Sequence, residues 1–148
     1  MSEMLANQYF MIKNYSLAKE EYEKLVSKNL SDFKILKRLI VCYVLTHELE
    51  KAINLFYKFI KDYPTKIVTS QLSDEDNLCA EIISKIINNE IKFSSEDDKN
   101  IGLGILYSFC NKKLSKKFFS KASVQHNSLM VTKIIRRLEK INQVFNRS

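Results

Sequence analysis

Two stretches of the chain, LANQYFMIKNYSLAKEEY at residues 5–22 and LIVCYVLTHELEKAINLF at residues 39–56, share one spacing pattern that decides the fold. In each stretch, a Leu is followed four residues later by an aromatic, nine residues further by an Ala, and four further by a second aromatic. Sliding the sequence by 34 positions superimposes the two copies, which identifies a tandem repeat. The matching pairs are Leu5 with Leu39, Tyr9 with Tyr43, Tyr15 with Leu49, Ala18 with Ala52, and Tyr22 with Phe56.

These spacings have a direct physical interpretation in helices. Residues four positions apart lie one turn apart on the same helical face, so each copy predicts two short helices. The small Ala lets the two antiparallel helices approach closely, and the aromatics fill the space beside it. A single helix pair cannot cover such a face alone, so the pairs are expected to stack. The pattern predicts an all-α fold, and an ordinary helical bundle with coincidental spacing is the alternative.

On these positions the chain resembles the tetratricopeptide repeat (TPR) family, and Pro64 stands where the family's repeat usually ends. The resemblance covers about residues 1–65. It implies a right-handed stack of antiparallel helix hairpins, a TPR-like α-solenoid, with repeats at about 1–32 and 33–66. Larger residues stand at some of the family's small positions, and they imply a wider angle between the helices. These departures are Ile40, Leu25 and Phe59, while Ser2 and Leu36 replace an early Trp.

The segment after Pro64 predicts a connection and then an inserted helix. Residues Thr65–Leu72 form a short polar stretch, and Ser73 with the acids that follow is typical of a helix start. An amphipathic helix is expected over about 74–89, and it carries no repeat signature. Its apolar ridge is Leu78, Ile82 and Ile86, with Cys79, Ile83 and Ile87 beside them.

A degenerate third repeat is predicted at about 97–124. It follows a second helix start at Ser94–Asp98, and Leu103-Gly104 and Tyr107 reproduce the pattern of the repeat's first helix. Phe119 and Ala122 match later positions if the turn at Asn111–Lys113 is one residue short, with Lys116 or Ser115 near the expected Ala. A generic helical hairpin is the alternative.

The last helix is predicted at about 128–146. Its apolar residues form one stripe, so we expect it to cover the final face of the stack as a C-terminal capping helix. The stripe is Ile134, Leu138, Ile141 and Phe145. The whole chain, 1–148, is then a single helical-repeat domain.

The composition agrees with a helical domain and sets its expected location. The chain has 148 residues, 45% of them apolar, with two Gly and one Pro. Its apolar runs fall short of the ~18 residues of a membrane span. The N-terminal sequence MSEMLANQYF lacks the features of a signal peptide, so we expect a cytoplasmic protein. Cys42, Cys79 and Cys110 are widely spaced in apolar surroundings and are expected to be reduced.

The sequence does not predict an enzyme, and it predicts no cofactor and no metal. His47 and His126 fall in predicted turns and outside any metal-ligand spacing. Asp97 and Asp98 stand at a helix start, where acids stabilise the helix. Gly102-Leu103-Gly104 lies within a predicted helix and lacks the ending of a phosphate-binding loop.

The TPR resemblance implies a concave groove that binds a peptide or helix of another protein, including one of acidic character. In the family's carboxylate clamp, Asn7 matches one Asn, but Glu3 stands in place of a Lys and Arg38 in place of an Asn. The clamp is therefore incomplete, which disfavours chaperone-tail binding but leaves an adaptor or co-chaperone-like scaffold. The alternative is a merely solvated surface. With Glu3, the expected groove residues are Asn7, Phe10, Met11, Lys34, Lys37, Arg38, Val41 and Val44.

The positive charge of the chain is concentrated after residue 110. Residues 111–148 hold ten Lys and Arg against Glu139 alone, whereas the first 110 residues are close to neutral. Such a surface suits nucleic acid, an anionic membrane or an acidic protein, or it is simply solvated. The residues are Lys112, Lys113, Lys116, Lys117 and Lys121, then Lys133, Arg136, Arg137 and Lys140. A homodimer that covers one end of the stack is a further alternative.

Overall fold

A computed structural model describes residues 2–30, 32–69, 78–126 and 129–146, and the regular elements in these ranges are all helical. The prediction of an all-α protein is therefore confirmed. Within these ranges, no helix is both long and apolar enough to cross a membrane. The helices are α1 Ser2–Met11, α2 Tyr15–Ser27, α3 Phe33–Leu45, α4 Leu49–Asp62, α5 Pro64–Thr69, a π-helical turn Leu78–Ile82, α6 Ile83–Ile87, α7 Glu96–Tyr107, α8 Lys112–His126 and α9 Leu129–Asn146.

The chain divides into two compact units, Met1–Phe59 and Ile60–Ser148. In the first unit, α1 packs against α2 and α2 against α3. In the second, α6 packs against α7, α7 against α8, and α8 against α9. The organisation of 1–148 as one domain stays a prediction.

The turn between α1 and α2 recurs 34 residues later, between α3 and α4. Lys13 and His47 both adopt the left-handed conformation, with φ of 66° and 64°. In both turns the next N–H reaches back to a carbonyl five residues earlier, as in a helix that ends with a left-handed residue. These bonds join Asn14 N to Tyr9 O at 2.9 Å and Glu48 N to Tyr43 O at 2.8 Å. The backbone of the first unit therefore shows the same period as its sequence.

Side chains that accept hydrogen bonds fix the starts of several helices, among them α2, α3 and α7. Asn14 Oδ1 accepts from Leu17 N at 3.3 Å, and Asp32 Oδ1 accepts from Ile35 N at 3.0 Å. Ser95 Oγ accepts from Asp98 N at 3.1 Å, which confirms the helix start predicted at Ser94–Asp98. The helix start predicted at Ser73 lies outside the described residues.

The core of the first unit contains the repeated small and aromatic positions. Ala18 and Ala52 are completely buried, and so are Tyr22 and Phe56. The first Leu of the pattern differs between the copies, since Leu39 is buried and Leu5 is 39% exposed. The first Leu of the pattern is therefore a core residue in the second copy and a partly exposed one in the first.

Pro64 both ends one helix and begins another. As expected, α4 ends at Asp62, but the polar stretch Thr65–Leu72 is not a simple connection, because α5 continues to Thr69. Proline suits the first position of a helix, where its missing N–H has no intrahelical partner and its fixed φ is already helical. Ile67 is fully buried and anchors this short helix.

The described part of the inserted helix, predicted at 74–89, consists of the π-helical turn and α6. Ile82, Ile83 and Ile86 are buried, in agreement with the predicted apolar ridge. Ile87, predicted beside it, is 48% exposed, because it is the last residue of α6 and points away from the packed face. The side chains of Leu78 and Cys79 lie outside the described set. Helix α6 ends at Ile87, and two residues later Asn89 adopts the left-handed conformation with a φ of 62°. Glu90 N then donates to Lys85 O at 2.8 Å.

Helices α7 and α8 form a closely packed hairpin around Gly104. A Cβ on Gly104 would lie 2.9 Å from three ring atoms of Phe119, so the ring lies directly on the backbone of α7. Ser115 is buried and its hydroxyl donates to Gly104 O at 2.6 Å. Ser115, and not the partly exposed Lys116, therefore occupies the small position of this hairpin. The connection is Ser108–Asn111, so the turn predicted at Asn111–Lys113 is displaced.

The predicted stripe of α9 is buried where the structure describes it. Ile134, Leu138 and Ile141 are 0%, 3% and 5% exposed, and α9 packs against α8. The side chain of Phe145 lies outside the described set. His126, predicted in a turn, is the last residue of α8.

Candidate protein-interaction surface

Three of the predicted groove residues meet where α1 faces α3. Arg38 Nη1 donates to Asn7 Oδ1 at 2.8 Å. The Arg38 guanidinium also lies 5.1 Å from the centroid of the Phe10 ring, within the range of a cation–π interaction. Residues 31 positions apart in sequence are thus joined by one side-chain cluster in the first unit.

Tyr22 completes this cluster, although the sequence assigned it only to packing. Its hydroxyl donates to Asn7 Oδ1 at 2.6 Å, and its ring lies edge-on to Phe10 with centroids 6.4 Å apart. Tyr15 makes a second edge contact with Phe10 at 5.6 Å. The signal in the sequence is the difference between the repeats, because Tyr22 corresponds to Phe56, which has no hydroxyl.

The remaining groove residues divide between surface and core. Met11 is 68% exposed and Lys34 is also exposed, while Arg38 is half-buried. Phe10 and Lys37 are buried to 5% and 7% exposure, and Val41 and Val44 are completely buried. These four side chains are therefore not on the accessible surface of the chain. We call the accessible set, Asn7, Met11, Lys34 and Arg38, the α1–α3 surface.

The outer side of α1 carries a shallow apolar hollow that the sequence analysis missed. Its volume is about 810 Å³. Met4 and Ile12, which were not among the predicted residues, are 72% and 71% exposed there. The hollow is lined by Glu3, Met4, Asn7, Gln8, Tyr9, Met11 and Ile12.

A polar network surrounds the left-handed turn at His47, between α3 and α4. Lys19 Nζ donates to Glu48 Oε2 at 2.7 Å, and Thr46 and Lys51 contact the same carboxylate at 3.2 and 3.4 Å. The hydrogen bond to Lys19 lowers the pKa of Glu48, and the hydrogen bond to Glu48 raises the pKa of Lys19. The pair therefore stays charged near neutral pH and ties α2 to the turn after α3.

Tyr43, the first aromatic of the second repeat, makes a further link between α2 and α3. Its hydroxyl donates to Glu23 Oε2 at 2.7 Å. Burial raises the pKa of Tyr43, and the hydrogen bond to Glu23 raises it further. The phenol is therefore a neutral hydrogen-bond donor that fixes the spacing of the two helices.

The predicted basic surface lies on α8 and α9. Lys116 Nζ is 3.7 Å from Glu139 Oε1, so the single acidic residue of 111–148 forms an ion pair with a lysine of the basic surface. Lys121 lies 5.0 Å from the ring of Phe118, which stacks on Tyr107 with centroids 5.5 Å apart. Lys112, Lys116 and Arg137 are partly exposed, and the other cations named for this surface are exposed: Lys113, Lys117, Lys121, Lys133, Arg136 and Lys140.

Cys42 and His47 both lie in the first unit, the former buried and the latter exposed. Burial raises the pKa of the Cys42 thiol to about 12, so it is not a nucleophile at neutral pH. His47 lies in the left-handed turn and is exposed, as a solvated turn residue would be. No group of three or more His, Cys, Asp or Glu in the described ranges is arranged to hold a metal ion.

The cysteines differ from the expectation that all three are reduced. Cys42 is free and buried, as predicted. Cys110 is disulfide-bonded, so its prediction as a reduced residue is wrong. Cysteine spacing could not predict this bond, because disulfide formation depends on the distance and orientation of two cysteines in the folded chain. The expectation for Cys79 lies outside the described side chains.

Comparison of the chain with family models, with curated proteins and with solved structures gave no match. The TPR resemblance therefore depends on the residue spacing of 1–65 alone.

Proposed function

We propose that this chain is a non-catalytic protein-interaction module of the TPR-like type, which binds a peptide or helix of another protein on the α1–α3 surface. It would act as an adaptor or co-chaperone-like scaffold. The observation that carries the proposal is the Arg38–Asn7 hydrogen bond of 2.8 Å, which links α1 to α3. Met11 is four residues after Asn7 and Lys34 four residues before Arg38, so each is one helical turn from the bond, and both are exposed.

The hydrogen bonds at Asn7 determine what its amide can offer a ligand. Arg38 can only donate, and Tyr22 donates its hydroxyl, so Oδ1 is the atom that faces both. The two N–H groups of Asn7 Nδ2 are then available to donate to a backbone carbonyl or a carboxylate of a partner. Met11 supplies an adaptable apolar contact, and Lys34 supplies a positive charge. Together they suit a peptide that has one apolar anchor and an acidic residue.

The repeat architecture and the location belong to the same proposal. The turn that recurs at Lys13 and His47 supports a tandem helical repeat, because stacked hairpins need equivalent turns. A cytoplasmic location is proposed from the sequence alone. The disulfide at Cys110 weighs against it, since stable disulfides are rare in a reducing compartment.

The test compares the wild type with surface variants in capture and binding experiments. Proteins captured from a lysate of the source cells are identified, and the contacting peptide is mapped by cross-linking and titrated by calorimetry. Met11→Asp and Lys34→Glu should each weaken its binding by about tenfold, which corresponds to ~1.4 kcal/mol. Leu30→Asp is the matched control, because Leu30 is 59% exposed in the same unit but outside the surface. Equal binding by all three variants would refute the proposal.

The runner-up function is a nucleic-acid accessory role for the basic surface. One observation favours it: α8 and α9 carry several exposed cations, while Glu139 is the single acidic residue in the sequence from 111 to 148. It predicts binding to DNA or RNA whose log affinity falls linearly with log salt. Replacing Lys113, Lys117, Lys133 and Arg136 with Gln should flatten that slope by several units, and an unchanged slope would exclude this role.

A further inference from the structure

The disulfide of Cys110 has a partner that the cysteine content of the chain identifies. Cys110 lies three residues after α7 and is disulfide-bonded, whereas Cys42 is a free, buried thiol. The chain has three cysteines, and Cys79 is the third. A disulfide joins two sulfurs, so within one chain Cys79 is the cysteine that remains for this bond. By sequence it belongs to the π-helical turn, which packs against α7 in the second unit.

We infer that Cys110 is bonded to Cys79, and that this bond is a reducible link that holds the inserted helix on the α7–α8 hairpin. The two cysteines are 31 positions apart in the sequence. A cross-link between distant positions restricts the unfolded chain and so stabilises the folded arrangement of the segment that it closes. Both cysteines belong to the second unit, so the inference is independent of the α1–α3 surface of the first.

The inserted helix is too short to be stable without such support. Helix α6 has five residues, and isolated helices of fewer than about 12 residues are marginal in water. The π-helical turn before it has five more residues, in a geometry that rarely extends beyond one turn. Lys99 Nζ of α7 donates to Asn89 Oδ1 at 3.2 Å, but this bond is exposed and water competes for both groups. Loss of the disulfide should therefore loosen the inserted helix.

The α7–α8 hairpin, in contrast, is held by contacts between its own two helices. Phe119 is completely buried and its ring lies against Gly104. The buried Ser115 hydroxyl donates to Gly104 O at 2.6 Å. These contacts do not involve the inserted helix, so they persist when the disulfide is reduced. Reduction should therefore open one element locally and leave the hairpin folded.

The bond is accessible to a reductant, because Cys110 is partly exposed and exposed disulfides are the more labile ones. A dithiol reductant supplies both electrons. One of its thiolates attacks one sulfur of the bond, and the other cysteine leaves as a thiolate. The second thiol of the reductant then displaces the remaining cysteine and closes the reductant's own disulfide. The chain gains two electrons and two protons, and both cysteines end as thiols.

The first test maps the bond in the full chain. Free thiols are alkylated in denaturant without reductant, and the protein is digested and analysed by mass spectrometry. One cross-linked pair of peptides should contain Cys79 and Cys110, and reduction should separate the pair with the gain of two hydrogens. Cys42 should carry the alkyl group. A free Cys110, or a bond from Cys110 to Cys42 or to a second chain, would overturn the inference.

The second test measures hydrogen–deuterium exchange with and without dithiothreitol. In the reduced protein, amides of α6 should exchange at least about tenfold faster, while amides of α7 and α8 should change by less than about twofold. Cys42→Ser is the matched control and should keep the full response to dithiothreitol. The double variant Cys79→Ser with Cys110→Ser should exchange like the reduced wild type under both conditions. Unchanged exchange in α6 on reduction, or equal acceleration in α7 and α8, would contradict the inference.

Discussion

The α1–α2 hairpin of the first unit and the α7–α8 hairpin of the second solve the same packing problem with different chemistry. In the first, Ala18 is the small residue and a tyrosine hydroxyl links the helices, from Tyr22 to Asn7 at 2.6 Å. In the second, a ring lies directly on Gly104 and a serine hydroxyl reaches a backbone carbonyl at 2.6 Å. The spacing pattern determines where the two helices of a hairpin pack closely together. The residue types at that contact then decide whether polar side chains remain available to bind a partner.

The turns of the two hairpins differ in the same way. Lys13 takes a left-handed conformation that lets α2 begin at Tyr15. The second hairpin instead has Ser108 in the right-handed helical conformation, and α8 begins only at Lys112. We therefore expect substitutions to act differently in the two hairpins.

The largest effect is expected from Phe119→Ala, because it removes a completely buried ring from the α7–α8 contact. The expected loss of unfolding free energy is about 3–5 kcal/mol, measured by urea denaturation. Phe118→Ala is the matched control, since its ring is only partly buried, and it should cost clearly less. Equal losses from the two variants would mean that Phe119 does not hold the hairpin.

Gly104→Ala should destabilise the second hairpin by about 1–2 kcal/mol. The new Cβ would lie 2.9 Å from the Phe119 ring, and this overlap outweighs the ~1 kcal/mol that Ala gains over Gly in a helix. The double variant with Phe119→Leu should show a favourable coupling energy, because a smaller side chain relieves the overlap. A stabilised Gly104→Ala protein would show that the helices are farther apart than described.

Tyr22→Phe should cost the first hairpin about 1 kcal/mol, since it removes the hydrogen bond to Asn7 but keeps the ring. Tyr9→Phe, which alters a partly exposed ring on α1, is the matched control and should change the unfolding free energy by less than about 0.5 kcal/mol. If the two variants behave alike in thermal denaturation, the cluster around Asn7 contributes nothing to the first unit.

Glu48→Gln should cost up to about 1 kcal/mol near neutral pH, since the Lys19–Glu48 pair is partly exposed. The folded pKa of Glu48 is lowered, so its contribution is present above 4.5 and lost as pH falls through the folded value. The folded pKa of Lys19 is raised, so its contribution is present below 10.5 and lost as pH rises through the folded value.

The measurement for this pair is the pH dependence of the difference in unfolding free energy between wild type and Glu48→Gln. The difference should be largest between about pH 4.5 and 10.5 and should shrink on both sides. A difference that is flat from pH 3 to 11 would show that the pair is not the source of the effect.

The smallest effect is expected in thiol labelling, which compares Cys42 of the first unit with Cys110 of the second. Without reductant, a maleimide should modify Cys42 only slowly at pH 8, because burial raises its pKa to about 12. Cys110 should stay unmodified even after unfolding, and it should react once the disulfide is reduced. Peptide mapping by mass spectrometry reads both sites, and labelling of Cys110 in the unfolded, unreduced protein would contradict the disulfide.

The sequence predicted the helices best where a local signal was strong. The Leu–aromatic–Ala spacing located α1 to α4, Ser95 located the start of α7, and the apolar stripe located α9. The sequence analysis used Pro64 only as a residue that ends a helix. Proline is equally suited to the first position of a helix, so the start of α5 was missed.

The interaction surface was less predictable because it depends on side chains that meet across the fold. The cluster of Asn7, Tyr22 and Arg38 joins three helices, and no local pattern encodes it. The burial of Val41 and Val44 likewise depends on neighbours in space. The choice of Ser115 over Lys116 depends on a turn whose length the sequence left open.

The most direct test of the proposed function is hydrogen–deuterium exchange of the protein with and without its captured partner peptide. We expect slower exchange in α1 and the first turns of α3, around residues 3–12 and 34–38, with exchange in α8 and α9 unchanged. Protection confined to α8 and α9, with α1 and α3 unaffected, would contradict it and would favour the basic surface instead.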